Sequence, residues 1–221
     1  MARLKVGVLA SGRGSNLAAL IEAAADPAFP AEIALVIANV KGAAALARAD
    51  AAGIPTKVIE HRAFASRAAF DAALDAALRA AKAELVCLAG FMRLLTPGFV
   101  EAWRDRMVNI HPSLLPAFPG LDTHARVLAA GVKITGCTVH FVRHETDSGP
   151  ILAQAAVPVL AGDTADTLAA RVLEAEHRIY PLALRLIGEG RARVVEERVE
   201  IVARTGGKAT PGALLNPPQD A

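Results

Sequence analysis

Uninterrupted apolar runs, not alternating ones, mark the strands in the first half of this chain. They cover residues 6–10, 33–38 and 85–89, with 107–110 broken only by Asn109 and a shorter β-rich run at 56–59. Helical-period segments at 15–25, 43–52 and about 66–82 separate them, and Gly53-Ile54-Pro55 stops the second. A strand without polar alternation is buried on both faces, and strands separated by helices are joined by crossovers. The pattern predicts a parallel sheet with helices on both sides.

The second half changes character. Residues 133–142 and 150–159 are β-rich and only a short polar connection apart, which suits an antiparallel pair. A long helix is predicted from about 164 to 187, with Pro181 a candidate kink, and a small strand pair at 193–203. The Gly/Pro-rich residues 204–221 read as a tail of low order. With no internal repeat and no linker, one domain over 1–203 followed by this tail is the economical organisation. The fold class expected is α/β: three layers, a mostly parallel sheet with an antiparallel C-terminal portion, and a Rossmann-like N-terminal half.

Composition narrows the function classes. Of 221 residues, 53% are apolar and only 4% aromatic, so Ala, Val, Leu and Ile must build the core. The formal net charge is +2 without a block of like charge, which gives no indication of a nucleic-acid surface. No run reaches the length of a membrane span and no signal-peptide pattern opens the chain, so no membrane partner and a cytoplasmic location are expected. Cys87 and Cys137 sit among apolar or small residues and read as buried, reduced thiols. No ligand spacing indicates a metal.

The candidate chemistry begins with Asn109-Ile110-His111-Pro112-Ser113-Leu114-Leu115-Pro116, where an apolar run ends in an amide and an imidazole. Residues two apart on a strand share a face, so one short segment offers a hydrogen-bond donor and a proton-transfer group together. That pairing suits chemistry at a carbonyl carbon. Ser113 lacks the G-x-S-x-G elbow of a nucleophile. His61, His124 and His177 have no comparable setting by spacing.

Two loops could complete a site. Ser11-Gly12-Arg13-Gly14-Ser15-Asn16 follows the first strand and opens the first helix. It reads either as an anion-binding turn or as a tight βα turn with Ser15 as helix cap. It is neither a Walker A sequence nor the full GxGxxG fingerprint, since Leu17 occupies the third glycine position. In Asp147-Ser148-Gly149-Pro150 the aspartate is either a turn residue or a partner for His111. Thr138 and His140 share a face of the preceding strand, as core or as support for the site, and His144 reads as solvated. Gly90-Phe91-Met92-Arg93-Leu94-Leu95 is either ordinary core or a sandwich for a flat heterocycle.

These blocks, in this order, resemble the glycinamide ribonucleotide formyltransferases, a folate-dependent formyl-transfer family of purine biosynthesis. The resemblance covers roughly residues 4–202 and rests on residues 10–16, 88–93, 109–116 and 147–150. It implies that Gly14, Ser15 and Asn16 bind the substrate phosphate and that Glu176 holds the ribose hydroxyls, helped by residues 173–175. It implies that Met92, Arg93, Leu94 and Leu95 surround the folate pterin, with Arg67 towards its tail. The loop Arg143, His144, Glu145, Thr146 and Asp147 matches the folate-binding loop. Asn109, His111 and Asp147 match the catalytic set, with Asn109 also at the folate. The cosubstrate implied is 10-formyltetrahydrofolate, the acceptor glycinamide ribonucleotide, and no metal. A homodimer is compatible with the sequence, which does not fix the assembly state. Asp122 departs from the pattern, standing where a relative carries histidine.

Three rival expectations follow. A formyltetrahydrofolate hydrolase shares the Asn/His/Asp set but carries an N-terminal regulatory domain, for which the strand beginning near Met1 leaves no room. A methionyl-tRNA formyltransferase adds a basic C-terminal domain, for which the tail is too short. A nucleotide-binding module would need the Gly14-Ser15-Asn16 loop but none of the other three residues.

Overall fold

The computed structural model describes residues 2–202 and the pair 215–216; the predicted tail otherwise lies outside the described residues. The chain divides into two units, residues 1–109 and 110–221.

In the first unit, β1 (Leu4–Ala10), β2 (Ala31–Ala38), β3 (Thr56–Val58), β4 (Leu85–Leu88) and the start of β5 (Met107–His111) are all parallel, in the spatial order β3-β2-β1-β4-β5. The register sets Val8 between Val36 and Cys87, and Leu88 beside Asn109. Val6, Val8, Val36, Cys87 and Val108 are fully buried, as strands covered on both faces require. Three helices cross between strands: α1 (Ser15–Ala25), α2 (Ala44–Ala51) and α3 (Arg67–Ala80). Ser66 caps α3 by accepting from the Ala69 N–H at 3.1 Å, and Phe70, Leu74 and Leu78 form its buried stripe. A 3-10 turn at His61–Ala63 precedes it.

The sequence reading did not anticipate α4 (Pro97–Ala102), a short helix whose signals are nonetheless present: Thr96 caps it and Pro97 opens it. Trp103 ends it. The indole is buried, donates to Asp75 at 2.9 Å and lies under the Arg79 and Arg106 guanidinium groups.

In the second unit, β6 (Ile134–Phe141) and β7 (Ile151–Pro158) form the antiparallel pair expected, with a register shift between Val139 and His140. Leu215–Asn216, inside the predicted tail, adds a two-residue strand, β10, antiparallel to β7. The helix α6 (Ala165–Gly188) packs on β6 and β7 and remains one helix across Pro181. A reciprocal capping box of Thr164 and Thr167 starts it, and Asp163 grips Arg171 through two bonds of 2.8 and 2.9 Å. These bonds hold the Asp163 carboxyl far below the usual carboxylate range, and the Leu160 N–H and Thr167 hydroxyl act in the same direction. A second unanticipated helix, α5 (Thr123–Ala129), lies against α6. The small pair β8 (Ala192–Val195) and β9 (Arg198–Ile201) matches the predicted hairpin. Cys87 and Cys137 are buried free thiols.

Candidate active site

Strand β5 presents Asn109 half-buried and His111 buried, two positions apart on one strand. Beyond His111 the chain leaves the strand, and the proline-bracketed loop is fixed by side chains from β6 and β7. The Thr138 hydroxyl donates to the Ser113 carbonyl at 2.7 Å and accepts from the Leu115 N–H at 3.0 Å. Gln154 donates to the Leu115 carbonyl at 2.9 Å and to the Thr138 hydroxyl at 3.0 Å. Thr138 is thus a support of the loop. Ser113 is fully buried and donates to the Ala117 carbonyl at 2.6 Å, which leaves it no nucleophilic role.

Asp147 is the partner of His111. One carboxylate oxygen lies 3.2 Å from Nδ1 of His111 and accepts the Gly120 N–H at 2.8 Å. The other lies 3.7 Å from Nε2 of His140. Asp147 adopts a left-handed backbone (φ 55°), which aspartate tolerates better than most residues. Gly149 closes the same loop: a Cβ there would stand 1.7 Å from the Phe141 carbonyl oxygen. The position therefore demands glycine for close backbone approach.

The other nitrogen of His111, Nε2, faces the Phe118 carbonyl at 3.0 Å. Both ring nitrogens meet oxygen acceptors. A doubly protonated imidazolium satisfies both, whereas a neutral ring satisfies one. His140 differs. Burial pushes it below its ordinary value, against the Phe141 carbonyl and Asp147, which pull the other way. His124, for which spacing gave no role, lies close enough for His111 to lower it, although burial contributes more. Burial thus disfavours the charged form of both His140 and His124.

The first unit holds the loop at residues 11–16. Gly14 is the N-cap of α1 in a left-handed conformation (φ 70°), so Ser15 opens the helix and is not its cap. A Cβ at Gly14 would come within 2.7 Å of Ala45 Cα, so α2 packs where only glycine fits. The Ala45 N–H bonds the Gly12 carbonyl at 3.1 Å. Residues 11–16 line a cleft of about 260 Å³ together with Ala89, Gly90 and Met92. Backbone N–H groups at a helix start favour an anion there.

A second cleft of about 210 Å³ brings Arg67, Arg93 and Leu94 together with His61, Phe64 and Phe70. Two arginines and two phenylalanines lining one cleft suit a flat or anionic ligand end. Met92 and Leu94 are two of the large apolar residues left exposed, at 67% and 65%, whereas Leu95 is half-buried. Apolar side chains held out in solvent beside a cleft fit ligand contact better than core, the alternative left by the sequence.

In the second unit, Arg143 clasps Glu197 at the β8–β9 turn through bonds of 2.6 and 3.3 Å. His144, Glu145 and Thr146 are exposed on the loop. Glu176 is buried on α6, near enough to reinforce the upward shift that burial gives the Cys137 thiol. Asp122 is exposed at the start of α5 in a left-handed conformation, without a side-chain cap. Among the described residues no cluster of three His, Cys, Asp or Glu side chains could hold a metal, and no helix is long and apolar enough to cross a membrane.

The chain resembles known proteins over most of its length. Residues 4–184 match the family model described as formyl transferase. The phosphoribosylglycinamide formyltransferase of Escherichia coli K12 is 44% identical over 193 residues, covering 87% of this chain and 91% of that protein. The trifunctional purine biosynthetic protein adenosine-3 of Gallus gallus is 53% identical over 194 residues, 88% of this chain but only 19% of its own length. The crystal structure of glycinamide ribonucleotide transformylase 1 from Symbiobacterium toebii superposes with a TM-score of 0.88 at 48% identity, covering 90% of this chain and 94% of that one.

Proposed function

Because the chain belongs to the formyl transferase family, we propose that it transfers the formyl group of 10-formyltetrahydrofolate to the amine of glycinamide ribonucleotide, as a step of purine biosynthesis. The observation that carries the chemistry is the buried His111–Asp147 contact at 3.2 Å, on the strand that also bears Asn109.

The neutral amine attacks the formyl carbon. A nitrogen–carbon bond forms and the carbonyl electrons move to oxygen, giving a tetrahedral oxyanion. Asn109 donates a hydrogen bond to that oxygen, and His111 as imidazolium stabilises it or lends it a proton. Asp147 maintains the charge and orientation of His111 and orders a water for proton shuttling. Collapse breaks the bond to the folate nitrogen. The proton lost by the attacking amine matches the one gained by the leaving nitrogen, so the step needs no other reactant. Gly14, Ser15 and Asn16 hold the phosphate, and Glu176 the ribose hydroxyls. Met92, Arg93, Leu94, Leu95 and Asn109 hold the pterin, with Arg67 towards the tail, and Arg143, His144, Glu145, Thr146 and Asp147 also bind the folate. Alignment of the two cosubstrates supplies a large part of the acceleration. The protein works in the cytoplasm, on small molecules.

Incubation with 10-formyltetrahydrofolate, with and without glycinamide ribonucleotide, tests the reading. Consumption only with the ribonucleotide supports it. Consumption without it makes the chain a hydrolase, and none in either case makes it a binding module.

A further inference from the structure

Strands β1, β2, β3 and β4 are each followed by a polar residue or loop, and hydrogen bonds join these in the order in which the strands lie. After β4, the Met92 N–H donates to the Ser11 hydroxyl at 2.8 Å, and after β1 the Ser11 N–H donates to the Gly90 carbonyl at 3.1 Å. The Ser11 hydroxyl donates to Oδ1 of Asn39, just after β2, at 2.6 Å. Nδ2 of Asn39 lies 3.2 Å from Nδ1 of His61, which follows β3. The sequence reading gave neither Asn39 nor His61 a role.

The direction of the Ser11 bonds is fixed by their neighbours. Ser11 has one hydroxyl proton and already accepts from Met92, so that proton goes to Asn39. The amide oxygen of Asn39 then faces Ser11 and its amino group faces Nδ1 of His61, which also lies 3.2 Å from the Asn39 carbonyl oxygen. Asn39 is 3% exposed, so a partner lost here is not replaced cheaply by water. Ser11 lines the cleft at the phosphate loop, and His61 lines the cleft with Arg67 and Arg93. Asn39 lines neither of them.

We propose that Asn39 is a positioning residue that locks the phosphate loop and the two folate-binding segments into one arrangement through Ser11 and His61. The inference rests on the assignment of those segments to ribonucleotide and folate. Such a buried amide touches no substrate, yet its loss loosens the sites for both. A residue that merely supported the fold would lower stability without this paired effect on affinity.

Calorimetry on the full chain tests this with Asn39→Ala, Ser11→Ala, the double variant and Ser11→Thr, titrating glycinamide ribonucleotide and 10-formyltetrahydrofolate separately. Asn39→Ala should weaken both ligands by about tenfold, the size expected for one lost buried hydrogen-bond partner, with kcat nearly unchanged. The double variant should bind no worse than the weaker single one, and Ser11→Thr should restore affinity. Should Asn39→Ala fail to fold, Asn39→Ser, whose side chain is too short to span Ser11 and His61, decides the matter by the same paired readout. Weakening of one ligand only, independent effects that multiply in the double variant, or a fall in melting temperature with unchanged affinities would overturn the proposal. Failure of the unaltered protein to bind either ligand would instead refute the functional reading.

Discussion

Asp147→Asn isolates the charge of the His111 partner from its shape. The asparagine keeps the volume, and its carbonyl oxygen can still accept the Gly120 N–H that Asp147 accepts at 2.8 Å. What disappears is the negative charge 3.2 Å from Nδ1 of His111, in a place where the two side chains are only 9% and 7% exposed. Solvent screening is weak at that burial. A hydrogen bond to a charged partner is worth about 1.5–3 kcal/mol, against about 1 for a neutral one. If His111 bears its full positive charge as the oxyanion forms, the difference, roughly 0.5–2 kcal/mol of transition-state stabilisation, is lost, or about 2- to 30-fold in kcat. The ribonucleotide KM should change little, since Asp147 is not assigned to the phosphate or ribose. Steady-state kinetics across pH, with a melting curve to confirm the fold, measure this. A variant with near-normal kcat at all pH values would refute the coupling of Asp147 to His111, and so would a loss confined to KM.

Other outcomes follow from the same geometry. Asn109→Ala and His111→Ala should each depress kcat by about a hundredfold or more while ribonucleotide affinity by calorimetry stays close to normal; losses confined to KM would contradict their roles. Gly14→Ala, whose Cβ would press on Ala45 at φ 70°, should raise the ribonucleotide KM several-fold, and an unchanged KM would remove the phosphate loop from the site. Burial lowers both His140 and His124 from the ordinary imidazole range, about 6.5, so the unfolded chain binds their protons first. Their contribution is intact above about pH 6.5 and is lost as pH falls below it. The melting temperature should therefore decline from pH 7 to 5, with a shallower slope in His140→Gln; an identical slope would contradict that source. Glu196 and Glu197 hold left-handed backbone at the β8–β9 turn (φ 47° and 59°). Glu196→Asn with Glu197→Gly should ease that turn by about 0.5–1 kcal/mol yet raise the folate KM by removing the Glu197 clasp on Arg143, and a stabilised protein with unchanged KM would remove that contact from the site.

The sheet was legible in the sequence because its strands announce themselves. Continuous apolar runs with crossover helices located β1, β2, β4 and β5 to within about two residues, and the short polar connection after residue 142 indicated the β6–β7 pair. The helices α4 and α5 escaped because six or seven residues are too few to show a helical period, although Thr96-Pro97 was a readable start. Polar contacts divide along the same line. Asn109 and His111 were visible as a pair because local strand geometry places them together. The pairing of His111 with Asp147 could be raised only as an alternative, since it depends on a loop 36 positions later turning back. His140 beside Asp147, His124 near His111 and Asn39 between Ser11 and His61 depend on tertiary packing that spacing does not encode. One signal for Asn39 was available: like Asn109, it is an amide placed where an apolar strand ends.

Direct transfer is the central claim, and following the formyl carbon tests it most directly. With that carbon isotopically labelled in 10-formyltetrahydrofolate and glycinamide ribonucleotide present, magnetic resonance should show the label passing one-for-one into the formamide of the ribonucleotide, without free formate. Label accumulating as formate, or remaining on the folate while the ribonucleotide stays bound, would contradict the account.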